Sequence, residues 1–162
     1  MDIDLSFIQN IYFKSSLNEY LESLFLGNKK VLGIILFGSL ATQKAKISSE
    51  KVSDIDLLVV FENKELPSNH MERTQLKIDL MGFSLSGIDS IWMNKSEFEG
   101  SVANKSDLIL SIFDEGIILY DPKKYLHDSK IKLLKELEAK GVKKKKGYWI
   151  WPRKRLDEVI EW

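Results

Sequence analysis

The chain has 162 residues, 44% of them hydrophobic and 30% charged, and its acidic and basic side chains balance to a formal net charge of zero. That length suits a real core, and the neutral balance gives no global field toward nucleic acid or a membrane. Cysteine is absent, which excludes disulfides and thiolate zinc centres; no apolar run reaches the ~20 residues of a membrane span, and the acidic opening does not read as a signal peptide, so a cytoplasmic protein is expected.

Residues 1–30 read as a helical prelude. Ser6 with Gln9 and Ser16 with Glu19 have capping-box spacing. Leu17, Tyr20, Leu21, Leu24 and Phe25 recur at helical intervals, a face that most often packs over a sheet. Gly27 and Asn28 suit its C-terminal stop.

Val31–Phe37 is an apolar run broken only by Gly33, and it reads as a buried strand. Gly38 and Ser39 then turn the chain into a helical stretch, Leu40–Lys46. After a polar loop, Asp54-Ile55-Asp56 leads into the apolar strand Leu57–Val60. Side chains alternate along a strand, so Asp54 and Asp56 share one face, roughly 7 Å apart. Two like charges at the mouth of a core strand repel each other and resist desolvation. A divalent cation resolves both problems, because carboxylates are the ligands that Mg2+ or Mn2+ prefers. Glycine permits close backbone approach, and the helix start beyond it offers N–H groups and a positive dipole end to a phosphate. Taken singly, a Gly-Ser turn is most often only a turn, and an Asp-x-Asp pair most often a solvated loop end or a cap. Joined to two buried strands in this order, they describe a nucleotide site.

Pro67-Ser68-Asn69 marks a turn, and Asn69 with Glu72 has cap spacing before a helix over Met71–Met81. In residues 84–94, Ile88, Ser90 and Trp92 alternate with Asp89, Ile91 and Met93, which predicts a third strand. Read alone, Asp89 is a strand-edge aspartate facing water. Ser96–Glu99 and Asp107–Phe113 predict two short helices, with Gly116 ending the second, and Ile117–Tyr120 a short strand. The longest clean helix is expected over residues 121–141, capped by Asp121, with Pro122 in its first position and Gly141 at its stop. Lys143–Lys146 precede Gly147 and the aromatic run Tyr148–Trp151, followed by Arg153, Lys154 and Arg155. Such a segment can hold RNA or DNA phosphates and stack on bases, but is more often a solvated turn before a packed aromatic strand. Leu156–Trp162 is read as a short helix.

Phe37-Gly38-Ser39-Leu40-Ala41 and Ser53-Asp54-Ile55-Asp56-Leu57-Leu58-Val59-Val60 together resemble the nucleotidyltransferase superfamily that includes DNA polymerase beta, and above all its minimal archaeal and bacterial members. The resemblance implies an α+β fold: a mixed sheet of about four or five strands with helices mainly on one face. Residues 1–120 would form the nucleotidyltransferase core, and residues 121–162 a C-terminal helix and short strand extension packed on it. It also implies a third carboxylate, for which Asp89 takes the position. Asp54, Asp56 and Asp89 become the catalytic, metal-binding set for Mg2+ or Mn2+. Gly38 and Ser39 become contacts for the NTP substrate. The minimal enzymes commonly carry Ala-Arg-Gly after Gly-Ser-x, whereas this chain has Ala41-Thr42-Gln43; the basic residue is displaced to Lys44 or Lys46, with Lys44 assigned to the nucleotide.

The function so implied is transfer of AMP from ATP to a protein or other acceptor, as in minimal nucleotidyltransferases that act as antitoxins toward a HEPN-type ribonuclease partner. The alternative is a nucleotidyltransferase fold that binds a protein or RNA partner, the RNA through Lys143–Arg155, with weak or no catalysis.

Overall fold

The structure is a computed structural model that describes residues 3–48, 52–145 and 148–152. The expected terminal helix, Lys146, Gly147 and the basic residues Arg153, Lys154 and Arg155 lie outside the described residues.

The prelude condenses into one helix, α1 (Ile11–Leu26). Its cap is Asn10, whose side chain accepts from the Tyr12 N–H at 2.9 Å, so neither serine box starts it. Strand β1 (Val31–Phe37) follows, then a single helical turn, α2 (Gly38–Ala41). Strand β2 (Ile55–Phe61) leads to α3 (His70–Met81), whose cap Asn69 accepts from the N–H groups of Met71 and Glu72. A 3-10 turn leads into β3 (Ile88–Asn94). Helix α4 (Lys95–Ala103) opens on a reciprocal box in which Asn94 and Glu97 cap each other's backbone N–H. Helix α5 (Asp107–Glu115), capped by Ser106, and strand β4 (Ile117–Tyr120) come next.

The helix after β4 starts later than the proline suggests. α6 runs Tyr125–Ala139, and Lys124 precedes it in the left-handed region at φ +57 with no side-chain cap. The chain makes an extra turn over residues 121–124, which moves Pro122 out of the helix. Asp121 still serves the helix start, accepting from the His127 N–H at 2.9 Å. A short hairpin, β5 (Lys143–Lys145) with β6 (Tyr148–Ile150), closes the described chain.

The main sheet has four strands in the order β3-β2-β1-β4. β2 runs antiparallel to β1 and parallel to β3, and β4 runs antiparallel to β1, so the sheet is mixed as expected. Helices, however, cover both of its faces rather than mainly one. Ile34, Leu36, Leu57, Val59 and Trp92 pack toward α1 and α3. Ile35, Leu58 and Val60 pack toward α4, α5 and α6 through Phe98, Phe113 and Leu126. Leu57–Phe61 has no solvent exposure at any position. That is the signature of a strand buried on both sides, which such an unbroken apolar run encodes. Gly33 is needed where α6 crosses β1: a Cβ there would lie 2.2 Å from Leu126 Cδ1.

β3 is an edge strand, and α3 covers its rim. The Arg73 guanidinium donates to the Trp92 carbonyl (3.2 Å), to the Pro67 carbonyl (2.8 Å) and to both Glu97 carboxylate oxygens (2.8 and 2.9 Å). The Lys77 ammonium donates to the Ser90 carbonyl at 2.5 Å.

Candidate active site

β1 ends at Phe37, whose register partner on β2 is Asp56. The next residue, Gly38, takes φ +71, and a Cβ added to it would fall 2.0 Å from Asp56 Oδ2. Only glycine lets the turn close against that carboxylate. The Ser39 N–H faces Asp56 and favours its charged form. Strand end, turn and carboxylate are therefore one packed unit.

The helix expected over Leu40–Lys46 is only the turn α2. Thr42 Oγ1 donates to the Gly38 carbonyl at 2.9 Å, and Gln43 enters the left-handed region at φ +58. The Ser39 carbonyl then accepts from both the Lys44 and Ala45 N–H groups, at 2.8 and 3.0 Å. A competing local bonding pattern thus ends the helix after one turn. Lys44 is anchored beside Ser39 by its backbone, and its side chain is exposed.

The acidic residues reach the same end of the sheet by three routes. Asp54 is exposed in the loop before β2, Asp56 is half-buried on β2, and Asp89 is exposed on β3. Asp56 and Asp89 are direct register partners across the parallel pair. Burial raises the Asp56 carboxyl above its ordinary value, and the charges of Asp89 and Asp54 raise it further, against the Ser39 N–H that lowers it. Lys77 was not singled out in the sequence. Burial lowers its pKa, and the charge of Asp89 offsets part of that effect. Its proximity depends on how α3 packs along β3, where the ammonium reaches the Ser90 carbonyl, and the sequence carries no local signal for that packing.

Asp56 is a carboxylate partly removed from water, with the charges of Asp89 and Asp54 beside it and the Ser39 backbone facing it. A divalent cation fits that donor set. Among the described residues no three His, Cys, Asp or Glu side chains stand close enough together to hold a metal ion by themselves. Mg2+ suits an open arrangement, since it keeps waters and takes further ligands from substrate phosphates.

The model of the family described as polymerase beta, nucleotidyltransferase, matches residues 19–125. The chain belongs to this nucleotidyltransferase family. The matched span runs from α1 to the start of α6 and contains Gly38, Ser39, Asp54, Asp56 and Asp89. No curated protein matches the chain. Among solved structures, a chain of a toxin–antitoxin complex with AMP-PNP is similar at 19% identity and TM-score 0.51, covering 75% of this chain and 86% of that one. A chain from a complex of a tri-AMPylated Shewanella oneidensis HEPN toxin with its MNT antitoxin is 17% identical at TM-score 0.49, covering 78% and 87%. A chain of the MntA–HepT toxin–antitoxin complex is also 17% identical, at TM-score 0.47, covering 78% and 87%. At 19% identity the first of these likenesses concerns the fold alone.

In this nucleotidyltransferase the basic and aromatic segment is anchored on α5 and the core. Lys144 pairs with Asp114 of α5, and Trp149 packs on the core beneath α5 and α6. No helix among the described residues is long and apolar enough to cross a membrane.

Proposed function

We propose that this protein transfers AMP from ATP to a hydroxyl of a protein acceptor, and that the acceptor is a HEPN-type toxin for which it serves as antitoxin. The observation that carries this reading is the meeting of Asp56 with Asp89, Asp54 and the Ser39 N–H at one end of the sheet. The similarity to a chain of a toxin–antitoxin structure with AMP-PNP supports an adenine nucleotide and a toxin as partner.

Asp54, Asp56 and Asp89 would hold the divalent ions, which when bound lower the pKa of an attacking hydroxyl and neutralise a departing pyrophosphate. The Ser39 N–H faces Asp56. The Ser39 hydroxyl, with the Gly38 backbone, would contact the triphosphate. Lys44, tethered at the same turn, adds a mobile positive charge for the phosphates. Asp89 is exposed and next to Asp56, so it can accept the proton of the incoming hydroxyl. The chain's own contribution is positioning and electrostatic complementarity, as phosphoryl chemistry demands.

The test is incubation of the protein with α-labelled ATP, Mg2+ and a HEPN-type ribonuclease. Label should appear on the ribonuclease, and Asp56→Asn should abolish it. Equal labelling by Asp56→Asn would remove the basis of the reading. A second reading, a binding module of the same fold, is favoured by Gln43, which stands near the place of the family's basic residue and takes φ +58. Stabilisation by ATP that requires Mg2+ supports the enzyme, because a ligand of the folded state raises its melting temperature.

A further inference from the structure

At the opposite end of the sheet from the acidic cluster lies a second cleft, with a volume of about 720 Å3. It is separated from Gly38 by the full length of β1, roughly 20 Å for seven residues. Three loops build it: α1–β1, β2–α3 and β4–α6. They bring Lys29, Lys30, Lys64 and Lys123 to one opening. Two carboxylates, Glu62 and Glu65, share the lining, and Glu65 lies 4.0 Å from the Lys29 ammonium. The four ammonium groups therefore outnumber the carboxylates by two.

The loops are held in costly conformations. Asn28 at φ +52 and Lys64 at φ +77 line the cleft, and Lys124 at φ +57 follows Lys123. Non-glycine residues rarely adopt this region, and it costs about 1 kcal/mol or more at each. The Glu62 N–H donates to the Lys30 carbonyl at 2.9 Å, tying two of the loops together. Asn63 accepts from the N–H and hydroxyl of Ser96 through its amide oxygen, which leaves its amide nitrogen to donate elsewhere. Phe25 and Tyr120, in an edge-on contact with centroids 5.2 Å apart, form an apolar wall of the same opening.

We propose that this cleft is a second binding site, for a phosphorylated ligand of the nucleotide class. Lys30, Lys64 and Lys123 hold its phosphates with the Asn63 amide, and a base or sugar ring rests on Phe25 and Tyr120. The ligand is either a free nucleotide or one unit of a nucleic-acid strand, since both present this chemistry. Nothing in the site requires a divalent ion. The inference stands apart from the AMP-transfer reading.

The test uses the full chain in EDTA, which removes metal-dependent binding at the acidic cluster. The probes are ATP, followed by calorimetry, and a fluorescein-labelled 12-nucleotide single-stranded oligouridylate, followed by anisotropy. One or both should bind, and which one does identifies the source of the phosphate. Lys30→Glu/Lys64→Glu/Lys123→Glu should weaken binding at least tenfold. For the oligonucleotide it should also flatten the log–log salt dependence by about two. These side chains are exposed; if the reversal disturbs folding, the Lys→Gln triple should weaken binding by a smaller factor in the same direction. Asp56→Asn and Lys143→Gln/Lys145→Gln should bind like the parent. Binding of neither probe, full binding by both triple variants, or loss in either of the last two variants would overturn the proposal.

Discussion

Asp56 on β2 and Asp89 on β3 are register partners in a parallel strand pair. Their side chains leave the sheet on the same face from strands about 4.8 Å apart. Two carboxylates so placed repel each other when both are ionised.

The first prediction concerns that repulsion. Asp56 binds its proton more tightly in the folded chain than in the unfolded one, because burial, Asp89 and Asp54 all raise its pKa. Its ionised form therefore costs stability. The loss sets in as pH rises above the ordinary carboxylate value and is complete above the raised one. Asp56→Asn should melt about 1–3 °C higher than the parent at pH 7 without metal, and should lose AMP transfer. Melting below the parent would show that the ionised carboxylate is well compensated.

Gly38→Ala tests the turn. Its Cβ would collide with Asp56 Oδ2, and the backbone would keep φ +71. A cost of about 1–3 kcal/mol in urea unfolding is expected, with transfer reduced at least tenfold. Parent-like stability would mean that the turn rearranges freely.

The Arg73–Glu97 pair supplies a prediction far from the chemistry. Arg73 serves the carbonyls of Pro67 and Trp92 and both oxygens of Glu97, a fork that lysine cannot reproduce. Arg73→Lys should cost about 1–3 kcal/mol. Hydrogen bonds from Arg73 hold the Glu97 carboxyl below its usual value. Its stabilisation is fully present above the ordinary glutamate range and fades as pH falls through the lowered value. Glu97→Gln should therefore narrow its stability gap to the parent at acidic pH, in melting curves recorded from pH 7 to pH 3.

Gly33→Ala should destabilise by about 1–3 kcal/mol, since the new methyl meets Leu126 at 2.2 Å and the Tyr120 carbonyl at 3.0 Å. Unfolding in urea measures it. A companion Leu126→Ala, which clears the space, should recover part of the loss in a double-mutant cycle.

The parts of the fold set by short-range chemistry were readable. Val31–Phe37, Leu57–Val60 and Ile117–Tyr120 announce strands by composition, and Asn69 announces its helix by its own capping side chain. The Gly38-Ser39 turn and the Asp54/Asp56 pair were visible because each is contiguous. What depended on competing backbone geometry was not. The shortened α2 follows from the bonds of Thr42 and Ser39, and the late start of α6 from the left-handed Lys124. Helices on both faces were encoded in the double burial of β2, but that run does not say which helices do the covering. Placing Asp89 beside Asp56 needed a family likeness, because no local pattern specifies a parallel register. The basic run at Lys143–Lys145 drew attention by density, while the lysines of the second cleft are dispersed over three loops and left no cluster to notice.

The cationic rim on β3 bears on how this protein keeps company. Carbonyls of Ser90 and Trp92, the groups through which an outer strand recruits another, are already committed to Lys77 and Arg73. Lateral growth of the sheet past β3 would first have to evict two buried-rim cations. The molecule is thereby guarded on that flank against stacking into fibres, and a companion arriving there is met by side chains rather than by an added ribbon of backbone.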